Sequence, residues 1–183
     1  FWILDMSYEI PDTSSEKPET RNPKLGTKII GITGGIGSGK STVSKFIEEL
    51  GFPVYDSDFW AKELVNIDEN LKSRIIELLG EESYDENGKY NRKFVAEKVF
   101  ENQELLLKLN QIIHPAVKIH FENWVNAQNA EFVFKETALL FELKLNESCY
   151  QSILVNADEN IRIKRLMDRD GRTYREVKEI IDK

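Results

Sequence analysis

The stretch GITGGIGSGKST, from Gly31 to Thr42, limits most strongly what this chain can fold into. Glycines at 34, 35, 37 and 39 crowd together, with Ile29 and Ile30 just before them and a lysine and two hydroxyls just after. Gly34 through Ser41 satisfies the pattern G-x-x-x-x-G-K-[ST]. Its context fits as well, because the apolar run KIIGIT leads in and KSTVSKFIEEL leads out, a strand followed by a helix.

A polyphosphate needs many hydrogen-bond donors at short range, and backbone N–H groups supply them where side chains would only take up room. Glycine reaches the backbone angles such a cradle requires and lets the chain come close. The loop then enters a helix N-terminus, where free N–H groups and the positive end of the dipole meet the anion. Gly34, Gly35, Ile36, Gly37, Ser38, Gly39, Lys40, Ser41 and Thr42 are therefore expected to bind ATP. Lys40 is expected on the β- and γ-phosphates, Ser41 on Mg²⁺ through its hydroxyl, and Thr42 on the α-phosphate side. A plain glycine-rich hairpin with an exposed lysine would leave the complete pattern unexplained.

Beyond the loop, the chain reads as α/β. Val43, Phe46, Ile47 and Leu50 share one helical face, Gly51 is a natural stop, and PVY makes a second strand ending at Asp56. Strand, helix and strand at this spacing predict a right-handed βαβ unit with a parallel sheet. A long helical block follows. Asp68 is a candidate N-cap for the apolar face Leu71, Ile75, Leu78 and Leu79, and HPAVKIHFENWVNA reads as a helix with Pro115 at its first position and His114 just outside. EFVF (131–134) and SILVNA (152–157) return to strand character, and helices start from Asp158 and Thr173, the latter with a capping box to Glu176.

Composition excludes several classes. A net charge of −7 speaks against wrapping nucleic acid over a broad face, so a bound anion must be held locally. The single cysteine, Cys149, allows no internal disulfide and fits a reducing compartment, and it reads as structural because no activating neighbour is visible. No apolar run reaches the roughly 18 residues of a membrane helix. FWIL at the start is too short for a signal core. Residues 1–26 read as a flexible tail, and the start at Phe1 and the stop at Lys183 inside a helical pattern read as a fragment of a longer open reading frame.

Asp56 and Asp58, in YDSDFWAKEL, distinguish a kinase from other phosphate-loop proteins. A helix from Lys40 runs back about 15 Å at 1.5 Å per residue. The second strand then climbs to the edge where ligands of open α/β sheets bind. A carboxylate there can take the proton of an attacking hydroxyl, although either acid could instead cap the following helix. The base-reading Asn-Lys-x-Asp of Ras-type GTPases does not occur. Arg162, Arg165 and Arg169 share a helical face, and such a cluster before Gly171 suggests a lid that closes over phosphates and excludes water. The alternative is a solvated basic face paired with Asp168 and Asp170.

Read together, these stretches resemble the dephospho-coenzyme A kinase family. GITGGIGSGKST resembles its phosphate loop, DSDFWA its D-x-D-x-x-A segment, IIHPAV its His-Pro helix start, ALLFE its P-L-L-F-E segment and KRLMDRD its lid arginines. The resemblance spans about residues 28–183 and implies ATP-dependent phosphorylation of the ribose 3′-hydroxyl of dephospho-CoA, with ATP and Mg²⁺, in the cytoplasm. It implies a P-loop NTPase fold, a three-layer α/β/α core with a parallel sheet (27–60 and 131–160), a helical acceptor lobe (about 61–130) and a small lid (about 161–183). Carried over by residue, Lys40 and the loop hold ATP, Asp58 is the base with Asp56 assisting, and Arg165 and Arg169 close on the phosphates. His114, Leu139, Leu140 and Glu142 line or support the acceptor site. Ala138 and Lys62 depart from the family's usual proline and arginine, and the chain stops before the family's last segment.

The competing functions are a kinase for another small alcohol or a nucleoside monophosphate, and an ATP-binding module without turnover. Trp60 and Trp124 either stack on adenine or fill core, with core favoured. His114 and His120 lack a third partner for a metal.

Overall fold

A computed structural model describes residues 26–100 and 102–182, so the expected tail lies, apart from Gly26, outside the described residues. The element order is β1 (Lys28–Thr33), α1 (Lys40–Glu49), β2 (Val54–Asp56), α2 (Ser57–Ile67), α3 (Glu69–Leu79), α4 (Arg92–Phe100), α5 (Gln103–Ala127), β3 (Phe132–Glu136), β4 (Gln151–Leu154), α6 (Glu159–Asp170) and α7 (Tyr174–Ile181). The described residues fall into two compact units, one spanning 57–124 and the other containing the segments on either side of it.

The sheet unit carries four parallel strands in the order β2-β3-β1-β4. β1 sits between β3 and β4, with Ile30 opposite Phe134 on one side and Gln151 on the other. Ile30, Ile32 and Phe134 are buried together, with Ile47, Val54, Phe132 and Val155 packed around them. The helical face expected on α1 is only half used: Ile47 joins this cluster, while Phe46 and Leu50 are 61% and 74% exposed. Strand β4 is exposed along its whole length.

The helical unit is built around one apolar core. Leu71, Ile75 and Leu79 from α3, Val95 and Val99 from α4, and Leu109 and Ile113 from α5 are buried in it beside Leu64 and Val65 of α2. Asp68 is the N-cap of α3, its carboxylate accepting from the N–H groups of Asn70 and Leu71. The Tyr84 hydroxyl donates to the Val65 carbonyl at 2.8 Å, and burial pushes its pKa up to about 12. At the other end of the chain, Thr173 and Glu176 form the capping box expected for α7.

One expectation fails. Pro115 does not open a helix but lies inside α5, a continuous helix of 25 residues. An interior proline removes one hydrogen bond and costs about 3 kcal/mol. The apolar series Leu109, Ile113, Val117, Phe121 and Val125 continues at four-residue spacing straight past it, and all but Val117 are buried. Burial of that stripe on both sides of Pro115 outweighs the local preference to break.

Candidate functional site

The loop between β1 and α1 is positioned from both ends. β1 is a buried central strand, and Gly39 is the N-cap of α1 in a left-handed conformation, φ 106°. Gly34 also has no room for a side chain, because a Cβ there would lie 2.1 Å from the Val155 carbonyl oxygen. These two positions explain the glycines as backbone requirements, one of angle and one of space.

Each carbonyl from Gly34 to Gly39 accepts a hydrogen bond. The Lys40 ammonium donates to Gly34 O at 2.5 Å and to Gly35 O at 3.4 Å, and Gly35 O also receives the Ser38 N–H. Arg162 Nε donates to Ile36 O at 2.9 Å, and Arg165 Nη1 donates to Gly37 O and Ser38 O at 3.1 and 3.0 Å. The N–H groups of Thr42 and Val43 close the set on Gly39 O. With its carbonyls engaged by the protein, the loop holds a defined backbone shape, as an anion nest needs. Ser38 is buried, and its Oγ has no hydrogen-bond partner.

On the neighbouring strand, Glu136 ends β3 and is buried, and Ser41 Oγ donates to its Oε1 at 3.1 Å. A hydroxyl in the first turn of α1 beside a carboxylate oxygen at the end of β3 offers the hard donors that Mg²⁺ takes, so the residues present fit that ion. Sequence reasoning missed Glu136. The available signal was an apolar strand, FVFKE, ending in an acid, which becomes informative only once β3 is known to lie beside β1.

Other sequence-predicted residues take varied places. Asp56 ends β2 and Asp58 stands in the first turn of α2, within the helical unit. A carboxylate in the first turn of a helix is favoured by the dipole, which is a sufficient structural reason for Asp58 to stand there. Thr42 is exposed on α1. Leu140 is fully buried, with its methyl carbons 2.7 and 2.9 Å from where a Cβ on Gly31 would sit, so it packs beneath β1. Leu139 is half-buried and Glu142 exposed in the turn after β3. In the helical unit, His114 carries a buried Nε2 without a hydrogen-bond partner, and burial pushes its pKa down.

Trp60 packs against the His120 ring at 4.2 Å between centroids, and Trp124 stacks on Phe121. Arg169 pairs with Asp170 through two hydrogen bonds of 2.6 and 2.8 Å, which hold the Asp170 carboxyl below its usual range. Burial pushes the Cys149 thiol up, away from nucleophile chemistry. Among the described residues no group of three or more His, Cys, Asp or Glu could hold a metal, and no helix is long and apolar enough to cross a membrane.

Residues 28–183 match the CoaE family model, described as Dephospho-CoA kinase. A dephospho-CoA kinase of Fusobacterium nucleatum subsp. nucleatum is 40% identical over 142 residues, covering 78% of this chain and 73% of the relative. One of Porphyromonas gingivalis is 44% identical over 142 residues, covering 78% and 70%. The crystal structure of TT1252 from Thermus thermophilus superposes with a TM-score of 0.73 at 34% identity, covering 84% of this chain and 78% of that one. With a glycine loop braced at every carbonyl and a family match running from β1 to its last residue, this chain belongs to the dephospho-CoA kinase family, whose members are kinases of coenzyme A synthesis.

Proposed function

We propose that this chain transfers the γ-phosphoryl group of ATP to the ribose 3′-hydroxyl of dephospho-CoA, giving coenzyme A. The braced loop 34–41 is the observation that carries the proposal, since it offers a triphosphate a fixed set of amides together with Lys40. Ser41 and Glu136 would hold Mg²⁺, which when bound neutralises charge on the phosphate oxygens. Lys40 leaves its loop carbonyls for the β- and γ-phosphates. Asp58 accepts the proton of the attacking hydroxyl, and Asp56 at the end of β2 orients it.

Arg165 and Arg169 stabilise the transferring charge, Arg165 by exchanging loop carbonyls for phosphate and Arg169 by leaving Asp170. His114, Leu139 and Glu142 contribute to the acceptor side, with Leu140 supporting them from the core. The half-buried single thiol of Cys149 suits a reducing cytoplasm.

The test is an assay with ATP and dephospho-CoA in which the new phosphate is located on the ribose. Asp58→Asn should lower kcat by about 10²–10⁴-fold while leaving ATP binding in place. Equal turnover in the variant removes Asp58 as the base. ATP binding without any phosphorylated acceptor removes the kinase assignment.

A further inference from the structure

Ile36 is the one large side chain inside the glycine loop, and it does not point idly into solvent. It packs against the buried cluster of Ile163, Leu166 and Val177 formed by α6 and α7. Its carbonyl accepts from Arg162 Nε at 2.9 Å. The same guanidinium lies 2.7 Å from where a Cβ on Gly35 would be, and the Arg162 carbonyl oxygen lies 3.0 Å from where one on Gly37 would be. Three consecutive loop residues are thus seated on one residue of α6.

We propose that Arg162 is a positioning residue for ATP binding, acting through the phosphate loop, and that the kinase reading above supplies only the reaction in which this is felt. An amide nest binds an anion well only if its shape is set beforehand, and outward carbonyls left without donors would let the loop turn over. Arg162 supplies the Ile36 carbonyl with a charge-assisted donor, and the Ile36 side chain fixes the same residue from the apolar side. Arg165 donates to the next two carbonyls. Arg162 is only partly exposed and sits against the loop's backbone, so its contribution is shape rather than direct contact with phosphate.

The experiment compares Arg162→Met, which keeps the stem and loses the donor, with Arg162→Gln, which keeps a neutral donor of shorter reach. ATP binding is measured directly by equilibrium dialysis with no acceptor present, alongside KM for ATP, KM for dephospho-CoA and kcat. Arg162→Met should weaken ATP binding about tenfold, as expected for loss of a hydrogen bond from a charged group. KM for dephospho-CoA should stay within about twofold, and Arg162→Gln should recover most of the loss. Unchanged ATP affinity in Arg162→Met overturns the proposal. So does equal loss in both variants, or a loss matched by a fall in melting temperature, which would mark a merely structural role. Because binding is read without acceptor, a chain that turns out to phosphorylate something else still gives an answer about Arg162.

Discussion

In the helical unit, buried apolar side chains from α2, α3, α4 and α5 meet in one continuous core. In the sheet unit Ile30, Ile32 and Phe134 form one small cluster on β1 and β3, Ile163, Leu166 and Val177 form another between α6 and α7, and Tyr55, Val133 and Leu140 are buried besides, while Phe46, Leu50 and Leu154 remain exposed. What the sheet unit also has is a dense set of polar contacts at one place, the loop, where three backbone N–H groups, an ammonium and two guanidinium groups converge on six carbonyls. One unit spends its sequence on packing and the other on holding backbone in a shape a ligand can use. The difference teaches where substitutions should hurt stability and where they should hurt chemistry.

The largest effect should come from Lys40→Ala. If Lys40 leaves its loop carbonyls for the phosphates as proposed, removal of its charge should lower turnover by about 10²–10³-fold, with the thermal midpoint nearly unchanged. A midpoint that falls along with activity would break the division between a packing unit and a site unit. Next in size, Ile75→Ala should cost about 2–5 kcal/mol by leaving a cavity in the helical core. Phe46→Ala on the exposed face of α1 should stay within about 0.5 kcal/mol. Urea unfolding of the two variants reads the contrast directly, and equal losses would abolish it.

The smallest effect is pH-dependent and belongs to the helical unit. Burial lowers the folded-state pKa of His114, and of His120, below their ordinary 6.5. The unfolded chain then binds more protons than the folded one as pH falls. Stability is therefore intact above pH 6.5 and is lost progressively below it. Urea midpoints at pH 7.5 and 5.5 should show the decline, and His114→Gln should reduce it. A flat profile in the parent chain would mean that the histidines are as solvated as in the unfolded state.

Local chemistry was the most legible part of the sequence. The glycine loop, the strand before it and the helix after it lie where the pattern put them, and the Asp68 cap and the Thr173–Glu176 box are visible because caps depend on residues a few positions apart. Pro115 was misread for the same reason, since the rule that proline opens a helix is local and the burial that overrides it is not. The spacing of Arg162, Arg165 and Arg169 revealed a shared face. What Arg162 and Arg165 bind, carbonyls more than 120 residues earlier, depends on the fold bringing α6 to the loop. Glu136 escaped notice because an acid at a strand end means nothing until its neighbouring strand is known.

The register of β1 carries a consequence for how this chain acquires its structure. Lys28 pairs with Phe132 and Ile30 with Gln151, so both ladders of the central strand join residues more than a hundred positions apart. During synthesis from the N-terminus, the isoleucines of β1 emerge first and have no strand to lie beside until the whole of 57–124 has followed. The helices in that interval find their contacts close by in sequence and can collapse early, whereas sheet closure must wait for a distant encounter. The phosphate cradle, strung between β1 and α6, can take its shape only once that encounter has brought the two together.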